Sequence, residues 1–135
     1  MKRIFLLVII SSLFISCSVG DDTIQSDYTL LKIQDFDVPT AFKVDSVSVF
    51  KVRYKRESDC QLYNGLYFNS QGGNRTKIAV KVIHLEENVC YDDSSIYEVP
   101  LNFRPSKSGV YILDFWTGEG ANGEDQFSNT EIIVP

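Results

Sequence analysis

Apolar and polar residues alternate along most of the chain after residue 27, and this alternation predicts β-strands. In VSVFKVRYK, residues 47–55, Phe50, Val52 and Tyr54 share one face, while Lys51 and Arg53 share the other. Period-two stretches also occupy residues 28–33, 61–69, 76–85, 96–103, 110–117 and 129–134. Turn-forming residues separate these stretches, and no segment keeps an amphipathic helical period over three turns. The pattern predicts an all-β chain of about seven antiparallel strands, arranged as a β-sandwich.

The same alternation selects three aromatic residues as candidate ligand contacts. It predicts that Tyr63 and Tyr67 lie on one face of their strand, opposite Leu62, Leu66 and Phe68. Trp116 shares a face with Val110, Ile112 and Asp114. One face of a sandwich strand is normally solvated, so these aromatic rings are candidates for an exposed binding surface. For Trp116, packing against the core stays open as the alternative.

The first residues have the layout of a secretory signal peptide, predicted over residues 1–16. Lys2 and Arg3 precede an apolar run that is shorter than the roughly 20 residues of a membrane-spanning helix. An uncleaved anchor is the alternative. The order LFISC, residues 13–17, resembles a bacterial lipobox of the Bacteroidota type, which implies that Cys17 is lipidated and becomes the N-terminus. Acyl chains there would hold the protein on a bilayer.

The segment after Cys17 indicates where the protein is displayed. Residues 17–27 form a short polar tether, and its SVGDD, residues 18–22, resembles the surface-export signal of Bacteroidota lipoproteins. The resemblance implies a lipid-anchored outer-membrane protein at the cell surface, with the periplasmic side as the alternative. Asp22-Thr23-Ile24 and Asp45-Ser46-Val47 resemble O-glycosylation sites of the same group, which makes Thr23 and Ser46 candidate acceptors.

Charge narrows the range of partners. The net charge is −5, and removal of residues 1–16 takes away two basic residues and no acidic one, which leaves −7. An acidic chain is unsuited to nucleic acid, whose affinity comes largely from basic groups that neutralise phosphates. It is equally unsuited to an anionic bilayer, so contact with the membrane would depend on the lipid.

The three cysteines have two predicted roles, lipidation for one and a disulfide for the other two. With Cys17 acylated, Cys60 and Cys90 remain as an even pair in an oxidising compartment, which predicts a disulfide. A metal or redox site is the alternative, although the two cysteines have no CxxC spacing.

One segment resembles part of a known fold family. PSKSGVYILDFW, residues 105–116, resembles the approach to strand F in immunoglobulin-like domains, where a turn with glycine leads into a strand with an early tyrosine. Tyr111 would be that corner tyrosine, and Leu113 stands where an antibody-type domain has a cysteine. The resemblance implies an immunoglobulin-like sandwich over residues 28–135.

The sequence offers little for catalysis. His84 is the only histidine, and GxSxG, HExxH and phosphate-binding loops are absent from the sequence. We therefore expect a non-catalytic module without a cofactor that binds a protein or glycan ligand. A small hydrolase or metal-dependent enzyme that uses loop carboxylates is the alternative. Its candidates are two acidic groups, one with Glu86, Glu87, Asp92 and Asp93, the other with Asn122, Glu124 and Asp125.

The second acidic group lies in the segment 118–127, which predicts a long loop at the tip of the last hairpin. Its glycines and its Asn122-Gly123 pair favour a permissive backbone. Long loops in compact domains are often functional. Asn122, Glu124 and Asp125 are therefore candidate ligand contacts, with a solvated acidic turn as the alternative.

Overall fold

Eight β-strands form the described part of the chain, in a computed structural model that describes residues 28–86 and 89–135. Cys17, Thr23 and Glu87 lie outside the described residues, so the predictions for them stay predictions. The strands are β1 (Tyr28–Leu31), β2 (Ile33–Asp37), β3 (Ser48–Lys55), β4 (Gln61–Ser70), β5 (Arg75–His84), β6 (Ile96–Phe103), β7 (Gly109–Glu119) and β8 (Asp125–Val134).

The strands form two sheets. Sheet A contains β4, β5, β7 and β8, with β1 paired to the second half of β5, and sheet B has the order β2-β3-β6. All pairs are antiparallel except β5 and β7, which run parallel with Ile78 opposite Phe115. The parallel pair arises because the chain leaves sheet A after β5 and forms β6 in sheet B. It then re-enters sheet A beside β5, and parallel neighbours need such a crossover connection.

Apolar side chains from both sheets meet in one core. Phe50, Val52 and Tyr54 of β3 face Val80 of β5 and Phe115 of β7 across the sandwich, and all five are buried. Phe36 of β2 stacks on Phe115 with ring centroids 3.9 Å apart. The predicted all-β sandwich is therefore confirmed, and the face predicted for Phe50, Val52 and Tyr54 is the core face.

The first strand of the prediction is divided between the sheets. β1 pairs with β5 in sheet A, and after Lys32 the chain enters sheet B, where β2 pairs with β3. This division accounts for eight strands where about seven are predicted. Leu31 and Ile33, on either side of Lys32, are both buried, so the crossing point is fixed by apolar packing on both sides.

The contact expected of the corner tyrosine is present. Tyr111 donates a hydrogen bond from its hydroxyl to the carbonyl oxygen of Lys107 at 2.9 Å. A bond from an early strand tyrosine back to the upstream backbone is the geometry of a tyrosine corner. Immunoglobulin domains have two antiparallel sheets, from which the parallel β5–β7 pair departs. The immunoglobulin-like assignment stays a prediction.

Candidate ligand-binding surface

The outer face of sheet A carries an aromatic recess. Its floor is Ala79, a buried alanine at the middle of β5, and its walls include Tyr67 of β4, Trp116 of β7 and Phe127 of β8. Leu30 of β1 lies at one side. The recess has a volume of about 430 Å³. The small side chain of Ala79 leaves this space between the large side chains of β4, β7 and β8.

Trp116 is held in place by the hairpin of β7 and β8. It pairs with Phe127 across the two strands, and a bulge follows between Trp116 and Gly118. Its indole Nε1 donates a hydrogen bond to Oδ1 of Asp125 at 2.9 Å. The ring is half-buried on the outer face, which answers the question that the sequence leaves open. A fixed, partly exposed indole is a typical anchor for a ligand.

Two lysines accompany the aromatic rings. Lys77 places its ammonium 4.8 Å from the centroid of Phe127, and Lys81 places its ammonium 5.5 Å from that of Tyr28. Both lysines project from the outer face of β5, on either side of Ala79. Among residues 28–86 and 89–135, neither forms an ion pair within 4.0 Å. A cation placed over a ring face is attracted by the quadrupole of the ring, so these contacts are favourable.

Tyr63 is not part of this surface, and the prediction that it shares a face with Tyr67 is wrong. A bulge between Tyr63 and Leu66 shifts the register against β5, so the parity of the strand changes at Asn64 and Gly65. Tyr63 consequently lies on the core side and stacks on Tyr54 with centroids 6.0 Å apart. Burial raises the pKa of both tyrosines.

The last hairpin has a shorter loop than predicted. β7 continues to Glu119 and β8 begins at Asp125, so only residues 120–124 connect them. Gly120 and Glu124 close the loop with a backbone hydrogen bond of 2.8 Å. Asn122 and Glu124 are exposed at its tip, while Asp125 reaches back to the recess. Of the predicted contacts, the structure therefore groups Tyr67, Trp116 and Asp125, and leaves Asn122 and Glu124 beyond the recess.

A second recess lies at the adjoining end of the sandwich and has a volume of about 710 Å³. Leu30, Trp116 and Glu119 line it as well as the aromatic recess. Its other charged lining residues are Lys32, Lys55, Arg56, Glu57, Asp92 and Asp93. Lys32 packs over Gly118, whose backbone has a φ of 113°, a conformation that favours glycine.

Asp93 is already committed to contacts within the protein. Tyr97 donates a hydrogen bond to its carboxylate at 2.6 Å, the Ser95 amide donates at 2.9 Å, and Nε of Arg56 donates at 2.5 Å. These bonds, that from Tyr97 first, hold the pKa of Asp93 well below its ordinary value. The same contacts raise the pKa of Arg56 and of Tyr97. This arrangement, the Arg56–Asp93–Tyr97 cluster, braces the connection between β5 and β6.

Among the described residues, neither acidic loop brings three candidate cation ligands together. The only group of three candidate ligands within 4.8 Å of one another there is Asp59, Cys60 and Cys90. The two cysteines are joined in a disulfide with Cα atoms 5.5 Å apart, as predicted, so their sulfurs are not available as thiolates. Asp92 and Asp93 lie far along the chain from Glu124 and Asp125, and only the last of these lines the aromatic recess.

His84 lies at the end of β5, where it is exposed. Its Nε2 is 3.4 Å from Nε2 of the buried Gln61. Gln61 also accepts a hydrogen bond from the Glu57 amide at 2.7 Å through its side-chain oxygen. The histidine thus belongs to a structural contact at the rim of the sandwich.

Ser46, one of the two candidate glycosylation sites, is exposed in the connection between β2 and β3, together with Asp45 and Val47. The hydroxyl of Ser46 therefore meets the requirement that a glycosylation acceptor be accessible to the modifying enzyme. Modification of Ser46 stays a prediction.

Several members of the recess are absent from the sequence predictions. Leu30, Lys77, Ala79 and Phe127 have no motif. They meet only because β1 pairs with β5, and because β7 lies between β5 and β8 in the same sheet. A signal exists for Phe127 alone, since it lies in the same final hairpin as Trp116 and hairpin partners face each other.

Comparison with known proteins gives no relative. No protein family, no curated protein and no solved structure matches this chain. Within residues 28–86 and 89–135, no helix has the length and apolar character needed to cross a membrane.

Proposed function

We propose that the protein is a non-catalytic binding or scaffolding module of the cell envelope. In this proposal the lipid on Cys17 anchors it to the outer membrane, and the outer face of sheet A meets a protein or glycan ligand. The observation that carries the proposal is the recess around Trp116, where a fixed indole, two further rings and an alanine floor form a concave surface. Binding sites are typically concave, rich in aromatic residues and supplied with a few polar groups.

The contrast between the two outer faces supports the proposal. On sheet B, Arg53 contacts the carboxylates of Asp35, Asp37 and Glu98, and Lys51 lies 3.7 Å from Glu98. Arg53 and Lys51 on that face are thus paired with carboxylates of the same face, as is common on a solvated surface. The outer face of sheet A has an ion pair between Arg75 and Asp114, but around its recess it presents aromatic rings and Lys77, which makes it the face suited to a partner.

The tether is long enough to present this face above a membrane. Residues 17–27 comprise eleven residues, which span at most about 40 Å when fully extended. The first described strand, β1, follows directly and contributes Leu30 to the recess. The domain can therefore stand clear of a bilayer to which Cys17 is attached.

The alternative, a small hydrolase or metal-dependent enzyme, has one observation in its favour. The larger recess is lined by four carboxylates, those of Glu57, Asp92, Asp93 and Glu119. A general acid needs a raised pKa, however, and the pKa of Asp93 is lowered. Assays for glycoside and ester hydrolysis, with and without added divalent cations, test this alternative, and turnover abolished by D92N or E119Q would establish it.

The Trp116→Ala variant tests the binding proposal. Purified protein is presented to a glycan array and to a detergent extract of the cell envelope, and each captured ligand is then titrated. Because a central aromatic anchor contributes about 2 kcal/mol or more, W116A is expected to weaken binding at least about thirtyfold.

The control is Ile96→Ala on the outer face of sheet B, where Ile96 is equally apolar and more exposed. I96A is expected to bind like the unmodified protein. If W116A and the unmodified protein bind every captured ligand equally, the recess is not the binding site.

A further inference from the structure

We infer that the two recesses form one trough for an uncharged oligosaccharide several sugar units long, with Trp116 beneath its middle. The trough is defined as the aromatic recess and the adjoining larger recess at the end of the sandwich. The inference rests on the proposed function, because it names the class of ligand for the same surface.

The two recesses are neighbours, since three residues line both of them. Leu30, Trp116 and Glu119 belong to both, with volumes of about 430 Å³ and 710 Å³ on either side of them. The bulge after Trp116 and the left-handed backbone of Gly118 turn the end of β7 at this point. A ligand that lies on Trp116 can therefore continue from the face of the sheet to the end of the sandwich.

The trough is too long for a single sugar ring. Tyr67, Ala79, Trp116 and Phe127 lie on the four successive strands β4, β5, β7 and β8. With neighbouring strands about 4.8 Å apart, these four positions span about 14 Å across the sheet, before the second recess is added. The length fits a chain of several pyranose units.

The balance of charge favours a ligand without net charge. Four basic and five acidic side chains line the trough, and they are Lys32, Lys55, Lys77, Arg56, Glu57, Asp92, Asp93, Glu119 and Asp125. Opposite charges at this density would repel parts of a polyanion and of a polycation alike. A hydroxyl-rich chain can form hydrogen bonds with the basic and with the acidic side chains, because each hydroxyl donates one hydrogen bond and accepts others.

The aromatic rings supply the complementary apolar contact. A pyranose ring has an apolar face of C–H groups and an equatorial rim of hydroxyls. Trp116 and Tyr67 line the recess, and the face of an aromatic ring has a negative quadrupole that attracts C–H groups. Around them, Asn69 and Lys77 donate, while Glu119 and Asp125 accept. Apolar faces beside donors and acceptors are the two requirements for recognising a sugar.

An extended peptide fits this position less well. Peptides that bind sheets usually add a strand to an exposed edge, where main-chain hydrogen bonds supply the affinity. The trough lies across the face of sheet A, where β5 is paired with β4 on one side and with β1 and β7 on the other. β7 is paired with β8 along its length and with β5 over Ile112–Phe115, so a peptide there would find only the short segment 116–119 with an unpaired side.

Fluorescence of the full-length protein in detergent tests the inference. Trp116 is the only tryptophan of the chain, so its emission reports the middle of the trough directly. The probes are neutral gluco-, manno- and galacto-oligosaccharides of two to six units, with uronic-acid oligosaccharides of the same lengths as the charged comparison. We expect at least one neutral series to shift the emission, with affinity rising about tenfold or more between two and six units. We expect uronic-acid chains to bind more weakly than that series.

Variants locate the ligand along the trough. Because the Trp116 variants lack the only tryptophan, their binding is measured by isothermal titration calorimetry, with the unmodified protein in parallel. W116A is expected to abolish binding of every length, whereas Trp116→Phe retains a ring and is expected to retain part of the affinity. Lys32→Ala removes a side chain of the second recess only, so it is expected to weaken six-unit chains and to leave two-unit chains unchanged. Ile96→Ala serves as the control on the opposite face.

Four results would overturn the inference. Equal affinity for two and six units would limit the site to the aromatic recess, and tighter binding of uronic-acid chains would reverse the charge argument. If no neutral oligosaccharide binds while a protein or another ligand still depends on Trp116, the inference fails and the proposed function stands. If no ligand of any class depends on Trp116, both fail.

Discussion

Gly65 decides which side chains of β4 face the ligand surface. Its backbone has a φ of 100°, a conformation that residues with a side chain rarely adopt, and it forms the bulge with Asn64. On one side of the bulge Tyr63 packs on Tyr54, and on the other side Tyr67 lines the recess. A strand of uniform alternation would place the two tyrosines on one face.

We therefore predict that Gly65→Ala destabilises the protein by about 1–2 kcal/mol, the cost of forcing an L residue into a left-handed conformation. Urea denaturation measures the change in the free energy of unfolding. The added methyl group meets no atom within 4 Å, so backbone strain alone is tested. Asn64→Ala is the control, since Asn64 is exposed and a change there is expected to stay within about 0.5 kcal/mol. Equal stability of both variants would contradict this account of the bulge.

The same residue shows how far the sequence can predict the site. Alternation identifies the faces of β3 correctly, because Ser48–Lys55 runs without interruption. It fails for Tyr63 because a bulge inserts residues that period-two counting cannot detect. Trp116 and Asp125 could be named as candidates from residue type and loop position. Their place in one recess with Ala79 depends on strand order, which local patterns do not encode.

Among the elements, the connection between β5 and β6 is fixed by the Arg56–Asp93–Tyr97 cluster and by a disulfide. The carboxylate of Asp93 receives three hydrogen bonds, which lower its pKa in the folded state. A group with a lowered folded pKa stabilises the protein above its unfolded pKa, and the stabilisation is lost as pH falls through the folded value. The relevant window begins near the ordinary aspartate value of 3.8 and extends below it.

We predict that the stability of the unmodified protein declines below about pH 5 more steeply than that of Asp93→Asn. At pH 7, D93N is expected to be the less stable protein, because the amide cannot replace the ion pair with Arg56. The difference is expected to shrink as pH approaches 2. Urea denaturation at a series of pH values measures both effects.

Asp92→Asn is the matched control, since Asp92 is exposed and its side chain makes no hydrogen bond with the described residues. Parallel pH profiles for D93N and the unmodified protein would show that the cluster does not carry the acid dependence.

The disulfide closes the same region. Cys60 precedes β4 and Cys90 follows β5, so the bond spans the hairpin of these two strands. The closed loop of 31 residues corresponds to roughly 3.7 kcal/mol by loop entropy. We predict that Cys60→Ser with Cys90→Ser lowers the free energy of unfolding by about 2–4 kcal/mol. Dithiothreitol is expected to lower the stability of the unmodified protein and to leave the double variant unchanged. A double variant of unchanged stability would contradict this prediction.

Element boundaries differ from the prediction where tertiary pairing overrides local preference. β2 has only one apolar residue between its aspartates, Phe36, and aspartate is disfavoured in strands. It forms because Phe36 packs on Phe115 and both aspartates pair with Arg53. β8 likewise begins four residues before the predicted position, since Asp125 bonds to Trp116 across the hairpin. The contacts of β2 come from residues distant in sequence, and that of Asp125 comes from its partner strand in the hairpin.

At the scale of the whole molecule, the two sheets present different surfaces. One outer face is covered by ion pairs around Arg53, and the other exposes the recess of Trp116. A module of this kind needs only to be held in place with the second face accessible. Attachment through Cys17 supplies that in the proposal, because the tether of residues 17–27 separates the lipid from β1.

We predict that Cys17→Ser abolishes attachment. The unmodified protein is expected to enter the detergent phase in Triton X-114 partition. Each CH₂ group of an acyl chain that is buried in the detergent contributes about 0.8 kcal/mol of favourable free energy, and several acyl chains contribute together. C17S is expected to remain in the aqueous phase. Cys60→Ser with Cys90→Ser is the control for loss of cysteine elsewhere and is expected to partition like the unmodified protein. A C17S variant that still enters the detergent phase would exclude lipidation at this residue.

The crossing of the chain at Lys32 has a mechanical consequence. A pull on residue 28 along the strand strains the four residue pairs of β1 with β5 together, in shear, and does not open them one after another. Beyond Lys32 the chain belongs to the other sheet, so the same pull next meets the ladder of β2 and β3. Leu30 lies on this path and also forms part of the recess wall. If the protein is anchored and binds a ligand as proposed, tension on its N-terminal end acts first on β1, the strand that supplies Leu30 to the recess and Leu31 to the core.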